Sequence, residues 1–260
     1  MDRWMGKVAL VTGASAGIGA AIAEELAKKG LRVIGLARRI EKVEELKEKL
    51  GRIKGELVPW KGDITKQEEI ARTFQWIKHK FGTIHVLVNN AGIARQEMLI
   101  DGKIEHFKEV LDVNVLGLTI CTQHAYKLMK ETGVYNGHII NINSIAGHQI
   151  PNTEIPKFNI YAASKYAVTA LTETLRQELR YLKSKIRVTS ISPGMVETDI
   201  RDSCLTPGAL EALNDDVNKK SMTTAILKPK DIADSVLYVL ATPPHVQIHE
   251  LTIKPLGEVF

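Results

Sequence analysis

Short runs of β-branched and aliphatic residues alternate along the chain with longer segments whose apolar positions recur three and four apart. The first run, KVALVT (7–12), is apolar at nearly every position, as a strand buried on both faces must be. GIGAAIAEELAKKG (17–30) follows, a helical pattern closed by Gly30. The alternation predicts further strands at 32–37, 56–63, 84–92, 138–144, 186–194 and 246–253. Helices are predicted at 40–51, about 66–80, about 104–132, from 158 to about 183, and at 229–242. The mixed polar and apolar stretch 195–227 fits neither period. Strands separated by helices of this length imply βαβ units, hence an α/β fold with a doubly wound parallel sheet. With no internal repeat and no Pro/Gly/Ser linker, residues 1–260 are expected to form a single domain.

In such a sheet ligands bind outside the carboxyl ends of the strands, so only residues there are candidates for chemistry. TGASAGIG (12–19) joins the first strand to the first helix. Gly13 suits the tight turn, Gly17 a close backbone approach and Gly19 close helix packing. Ser15 and Ile18 share the turn, and the free N–H groups of the helix start suit a pyrophosphate. This suits a Rossmann-type dinucleotide fold, although the three-residue gap between Gly13 and Gly17 departs from the common G-x-G-x-x-G form and a glycine-rich turn without a ligand would read the same. The second strand ends in GLARR, with no acidic residue at its tip to hold a ribose 2′-hydroxyl. Arg38 and Arg39 stand there instead, which predicts NADP(H), since a guanidinium pairs with a 2′-phosphate. Asp63 and Ile64, after the third strand, are placed to meet the adenine. Asn90 and Gly92 of NNAG are placed to line the cofactor from the fourth strand, and both segments would also serve as ordinary turns.

Tyr161 and Lys165 lie four apart in FNIYAASKYAVTAL and share one helix face. Alone, the pair would also suit a buried phenol and a lysine reaching to water. The fifth strand ends at Ser144, however, so serine and tyrosine can converge on the rim. A free phenol ionises near pH 10, too high for acid–base work near neutrality, and an adjacent ammonium favours the phenolate. The small residues around the pair let a cofactor come close.

In order, TGASAGIG, NNAG, DVNVLG, Ser144, YAASK and SPGMVET together resemble the short-chain dehydrogenase/reductase family over the full length. GHIININS, ALTETLRQELR and VQIHELTIKP resemble most the subgroup of insect NADP-dependent farnesol dehydrogenases and a vertebrate ketosteroid-reducing member. The resemblance implies that Tyr161 is the acid–base, and that Lys165 holds the nicotinamide ribose while lowering the tyrosine pKa. Ser144 would orient the substrate oxygen, and Asn114 would hold a water behind the lysine. Pro193 and Val196 would meet the carboxamide, and Thr198 would bond the cofactor. The implied reaction is reversible hydride transfer between NADP(H) and an apolar alcohol or carbonyl, a farnesol-type terpenoid or a steroid. A homodimer or homotetramer and a substrate lid at about 195–227 are implied as well. The 17 positions from Ser144 to Tyr161 exceed the usual family spacing, which reads as a loop inserted at the substrate mouth.

Composition changes little. Net charge is +5, but residues 28–61 hold eleven Lys or Arg against five Glu, so the remainder is near neutral. Without a groove-reading motif this is a solvated helix, not a nucleic-acid surface. No apolar run reaches the roughly 18 residues of a membrane span. The N-terminus lacks a small-residue cleavage site, and two cysteines fit a reducing compartment, so a cytoplasmic protein is expected. His245 and His249 have no evident third ligand, so no metal is expected. Cys204 reads as a packed thiol. Within 195–227, Ile200, Leu205, Leu210, Leu213, Met222 and Ile226 would line an apolar mouth or simply cover a core. The alternative is a catalytically silent NADPH sensor or scaffold on the same fold.

Overall fold

The computed structural model describes residues 1–150, 159–200 and 226–258. β1 (Val8–Thr12), β2 (Arg32–Ala37), β3 (Glu56–Lys61), β4 (Val86–Asn89), β5 (His138–Ile142), β6 (Arg187–Pro193) and β7 (Glu250–Ile253) form one sheet. Their order is β3-β2-β1-β4-β5-β6-β7, with each neighbouring pair parallel. The helices are α1 (Gly17–Lys28), α2 (Ile40–Leu50), α3 (Gln67–Phe81), α4 (Ile104–Leu111), α5 (Leu118–Glu131), α6 (Asn159–Tyr181) and α7 (Pro229–Ala241).

Alternation along each strand sorts the core into two layers. Ala9, Val11, Val33, Val86 and Val88 face one side, where Ile22 and Leu26 of α1 and Ile232 and Val236 of α7 cover them. Val8, Leu10, Ile34, Leu36 and Leu87 face the other, under Ile70, Phe74 and Ile77 of α3 and Leu128 and Met129 of α5. Both faces are therefore dry, which is why the strands carry apolar residues at consecutive positions. Along α6, Val168 and Leu179 are buried in the core, while Leu182, just past the helix, is 51% exposed.

Several boundaries differ from the sequence expectation. The predicted 104–132 helix is interrupted by a π-helical turn, Asp112–Gly117, between α4 and α5. The predicted strand 138–144 ends at Ile142; Ser144 accepts from Ala146 N–H and caps a short 3-10 turn, Ile145–Gly147. The predicted strand 246–253 begins only at Glu250; His249 O still accepts from Ser190 N–H of β6, but two carbonyls before it serve side chains. Arg187 Nη1 donates to Val246 O at 2.8 Å, and Thr189 Oγ1 to Ile248 O at 2.7 Å. Of the loop expected at 146–160, residues 151–158 lie outside the described residues.

Leu10 sits fully buried on the central strand. Leu10→Ala should lower unfolding free energy by about 3 kcal/mol with an unchanged denaturant slope, as read from urea titrations.

Candidate active site

Strand order reverses between β1 and β4, and a cleft of about 580 Å³ opens at the carboxyl ends there. Gly13, Ser15, Gly17, Ile18 and Gly19 form one wall. Gly13 and Gly17 have φ of +70° and +53°, a region costly for any other residue. A Cβ on Gly19 would collide with Gly13 O and Asn90 Nδ2, so the helix start can lie against the turn only as glycine. The N-cap of α1 is Ala16, which provides no side-chain acceptor. Its first N–H groups are thus left for an anion, and that observation fits a dinucleotide pyrophosphate.

Arg38 and Arg39 border the cleft at the tip of β2, both exposed. Arg39 Nη2 lies 3.6 Å from Asp199 Oδ2; with side chains 57% and 74% exposed, this pair is weak. Asp63 and Ile64 line the cleft beyond β3. One Asp63 oxygen is already engaged, accepting from Thr65 N and Oγ1 at 2.9 Å each. Asn90 also lines it while bracing the glycine turn, its Nδ2 donating to Thr12 O at 2.9 Å and Gly13 O at 3.3 Å. Thr12, which sequence reasoning passed over, accepts from the N–H groups of Asn90 and Ala91.

At the other end α6 brings Tyr161 and Lys165 to the rim, with Ser144 beside them. Lys165 is 6% exposed; its Nζ donates to Ile142 O at 3.0 Å and stands 5.7 Å from the Tyr161 ring centroid. Burial pushes its ammonium down from 10.5 to about 8. Ser144 Oγ accepts from Ala146 N–H at 3.1 Å, which leaves its O–H to donate elsewhere. Gly92, Pro193 and Val196 line the cleft as well, and Thr198 lies against the glycine turn, where a Cβ on Gly17 would stand 3.1 Å from its Cγ2.

Every catalytic and cofactor-binding residue the sequence nominated lines the cleft except Asn114; of the apolar mouth residues, Ile200 lines it and the described Ile226 does not. Asn114 is buried behind it, in the π-helical turn. Its Nδ2 donates to Ile93 O at 2.9 Å and Ser164 Oγ at 3.0 Å, and its Oδ1 accepts from Ile93 N–H at 2.9 Å. Ser164 Oγ in turn donates to Tyr161 O at 2.6 Å. A Cβ on Gly92 would lie 3.4 Å from Asn114 Oδ1 and 3.9 Å from Lys165 Nζ, so Gly92 marks where the two converge. Asn114 ties the segment after β4 to α6, and among the described residues one Oδ1 lone pair remains open.

Of the expected lid, Leu205, Leu210, Leu213 and Met222 lie outside the described residues, as does Cys204. Its two ends are side by side: Val196 and Leu227 form a parallel bridge, with Glu197 N–H donating to Leu227 O at 2.9 Å.

The lowered lysine pKa fixes a pH dependence. Between about pH 8 and 10.5 the unfolded chain binds more protons, so Lys165 makes the fold more stable as pH rises. Cys121, whose thiol burial pushes up to about 12, opposes this above pH 9. The unfolding free energy of wild type minus that of Lys165→Met should therefore rise across the window, because Cys121 cancels. A flat difference in denaturant titrations would contradict the burial of the charge.

Residues 7–207 match the family model described as short chain dehydrogenase. The chain is 52% identical over 262 residues to farnesol dehydrogenase of Aedes aegypti, covering all of both chains. It is 45% identical over 265 residues to dehydrogenase/reductase SDR family member 11 of Gallus gallus, again covering both. Among solved structures, an alcohol dehydrogenase from Thermococcus sibiricus complexed with 5-hydroxy-NADP superposes with TM-score 0.79 at 29% identity, covering 95% of each chain. A serine dehydrogenase complexed with NADP+ gives 0.83 at 30%, covering 97% of this chain and 96% of that one. With its dinucleotide cleft and these full-length likenesses, the chain belongs to the short-chain dehydrogenase/reductase family of oxidoreductases.

Proposed function

We propose that this protein is an NADP(H)-dependent alcohol dehydrogenase or carbonyl reductase acting on apolar substrates, with oxidation of a farnesol-type terpenoid alcohol the leading case. The observation that carries the cofactor is the pair Arg38 and Arg39 at the tip of β2, a strand end that itself carries no acidic residue to hold a 2′-hydroxyl. The substrate class draws on the 52% identity to a protein named for farnesol. It also draws on the apolar cleft wall formed by Ile93, Ile145, Ala146, Met195 and Ile200.

Bound NADP(H) supplies the hydride acceptor or donor. Tyr161 moves the proton of the substrate oxygen, and the Lys165 ammonium favours the phenolate as that proton arrives or leaves. Lys165 spends one donor on Ile142 O, which leaves two for ribose hydroxyls. Ser144 directs its free O–H at the substrate oxygen. The open Oδ1 lone pair of Asn114 accepts from a water behind Lys165. Pro193, Val196 and Thr198 hold the carboxamide end, and Gly13 to Gly19 the pyrophosphate. The chain acts as one domain and assembles as a homodimer or homotetramer.

Three measurements test this reading. Purified protein with NADP+ should oxidise farnesol or a related apolar alcohol, followed at the NADPH absorbance, with NAD+ far poorer; no turnover across terpenoid and steroid alcohols would reject the substrate class. Tyr161→Phe should cut turnover by about 10²-fold or more while cofactor affinity stays within about twofold. The double variant Arg38→Ala/Arg39→Ala should weaken NADPH by about tenfold or more and NADH little; equal losses would refute the 2′-phosphate role.

A further inference from the structure

The cleft has one carboxylate at its β6 side that the motifs do not account for. Glu258, in the segment after β7, lines the same wall as Gly194 and Met195. Gly194 N–H donates to Ile253 O at 2.7 Å, and Glu258 N–H to Pro255 O at 3.2 Å, so the tail turns back across the end of β6. Glu258 Oε1 accepts from Met195 N–H at 2.8 Å. Its Oε2 is buried and has no hydrogen-bond partner among the described residues. A Cβ on Gly194 would collide with that oxygen, so the glycine is what makes room for it. Burial raises the carboxyl above its ordinary value, against the Met195 N–H and the Lys254 charge, which lower it.

A buried carboxylate oxygen without a donor is costly, and at the wall of a binding cleft it marks where a ligand brings one. The candidates are the substrate and the cofactor. An apolar alcohol has a single donor, its reacting hydroxyl, and Ser144 and Tyr161 already claim it. A nicotinamide brings carboxamide N–H groups, and its ring is cationic when oxidised and neutral when reduced. Gly194 and Met195 directly follow Pro193, which meets the carboxamide in the function proposed above.

Resting on that reading, we propose that Glu258 is a positioning residue for the nicotinamide end: its Oε2 accepts from the carboxamide, and its charge makes the protein bind the oxidised cofactor in preference to the reduced one. Opposite charges close together in a cleft of reduced dielectric attract, and the neutral ring forgoes that attraction. The preference is a coupling between ring charge and affinity, read as a ratio of two dissociation constants.

The test is equilibrium titration of wild type, Glu258→Gln and Gly194→Ala with NADP+ and NADPH separately, followed by calorimetry. Glu258→Gln keeps the shape and one acceptor but removes the charge. It should weaken NADP+ by about fivefold or more and leave NADPH within about twofold. Gly194→Ala, which displaces the carboxylate instead of neutralising it, should shift the ratio the same way and serves if Glu258→Gln fails to fold. Wild type binding both cofactors, with the ratio unchanged in the variants, would overturn this proposal and leave the function standing. Wild type binding neither would overturn both.

Discussion

The cleft depends on how the chain closes the gap it opens between β1 and β4. Where neighbouring strands send their chains to opposite faces of a sheet, the backbone groups just past the strand ends lose their ladder partners. Here two side chains replace them. Thr12 Oγ1 accepts from the N–H groups of both Asn90 and Ala91, and Asn90 Nδ2 returns donors to Thr12 O and Gly13 O. The exchange fixes the glycine turn against the segment after β4. It thereby sets where the free N–H groups of α1 point and where Gly92 meets Lys165.

The second constraint is a buried charge. Lys165 is nearly out of water, and its hydrogen bond among the described residues goes to a carbonyl, not a carboxylate. Such a group is held against its desolvation cost by the surrounding structure, and strongly perturbed ionisable groups of this kind gather at functional clefts. The surrounding structure is visible. α6 is anchored from behind through Ser164 to Asn114, and Asn114 projects from a π-helical turn. Single π turns inside α-helices occur often at functional sites, and here the wider turn delivers one side chain to both the Ile93 backbone and α6.

Much of this was legible in the chain. Apolar runs at consecutive positions gave the buried strands, and glycines at 13, 17 and 19 could be assigned a turn, an approach and a packing contact from spacing alone. The i, i+4 relation of Tyr161 and Lys165 needed only the helix period. What escaped were features set by tertiary contact. Nothing in DVNVLG announces a π turn, because its apolar spacing is shared with an ordinary helix. Thr12 reads as one more strand residue until the strand end beside it is known. Glu258 lies 64 positions from Gly194, and only the parallel pairing of β6 with β7 brings the two together. Around the early end of β5 and the late start of β7, side chains and turns took some of the backbone groups that a strand ladder would have used.

The bridge between Val196 and Leu227 separates two kinds of change. The residues between those positions leave and return side by side at a bridge outside the seven strands, and Thr198 and Ile200 among them line the cleft. Tyr161, Lys165 and the glycine turn lie outside that stretch, so an insertion between its two ends need displace none of them.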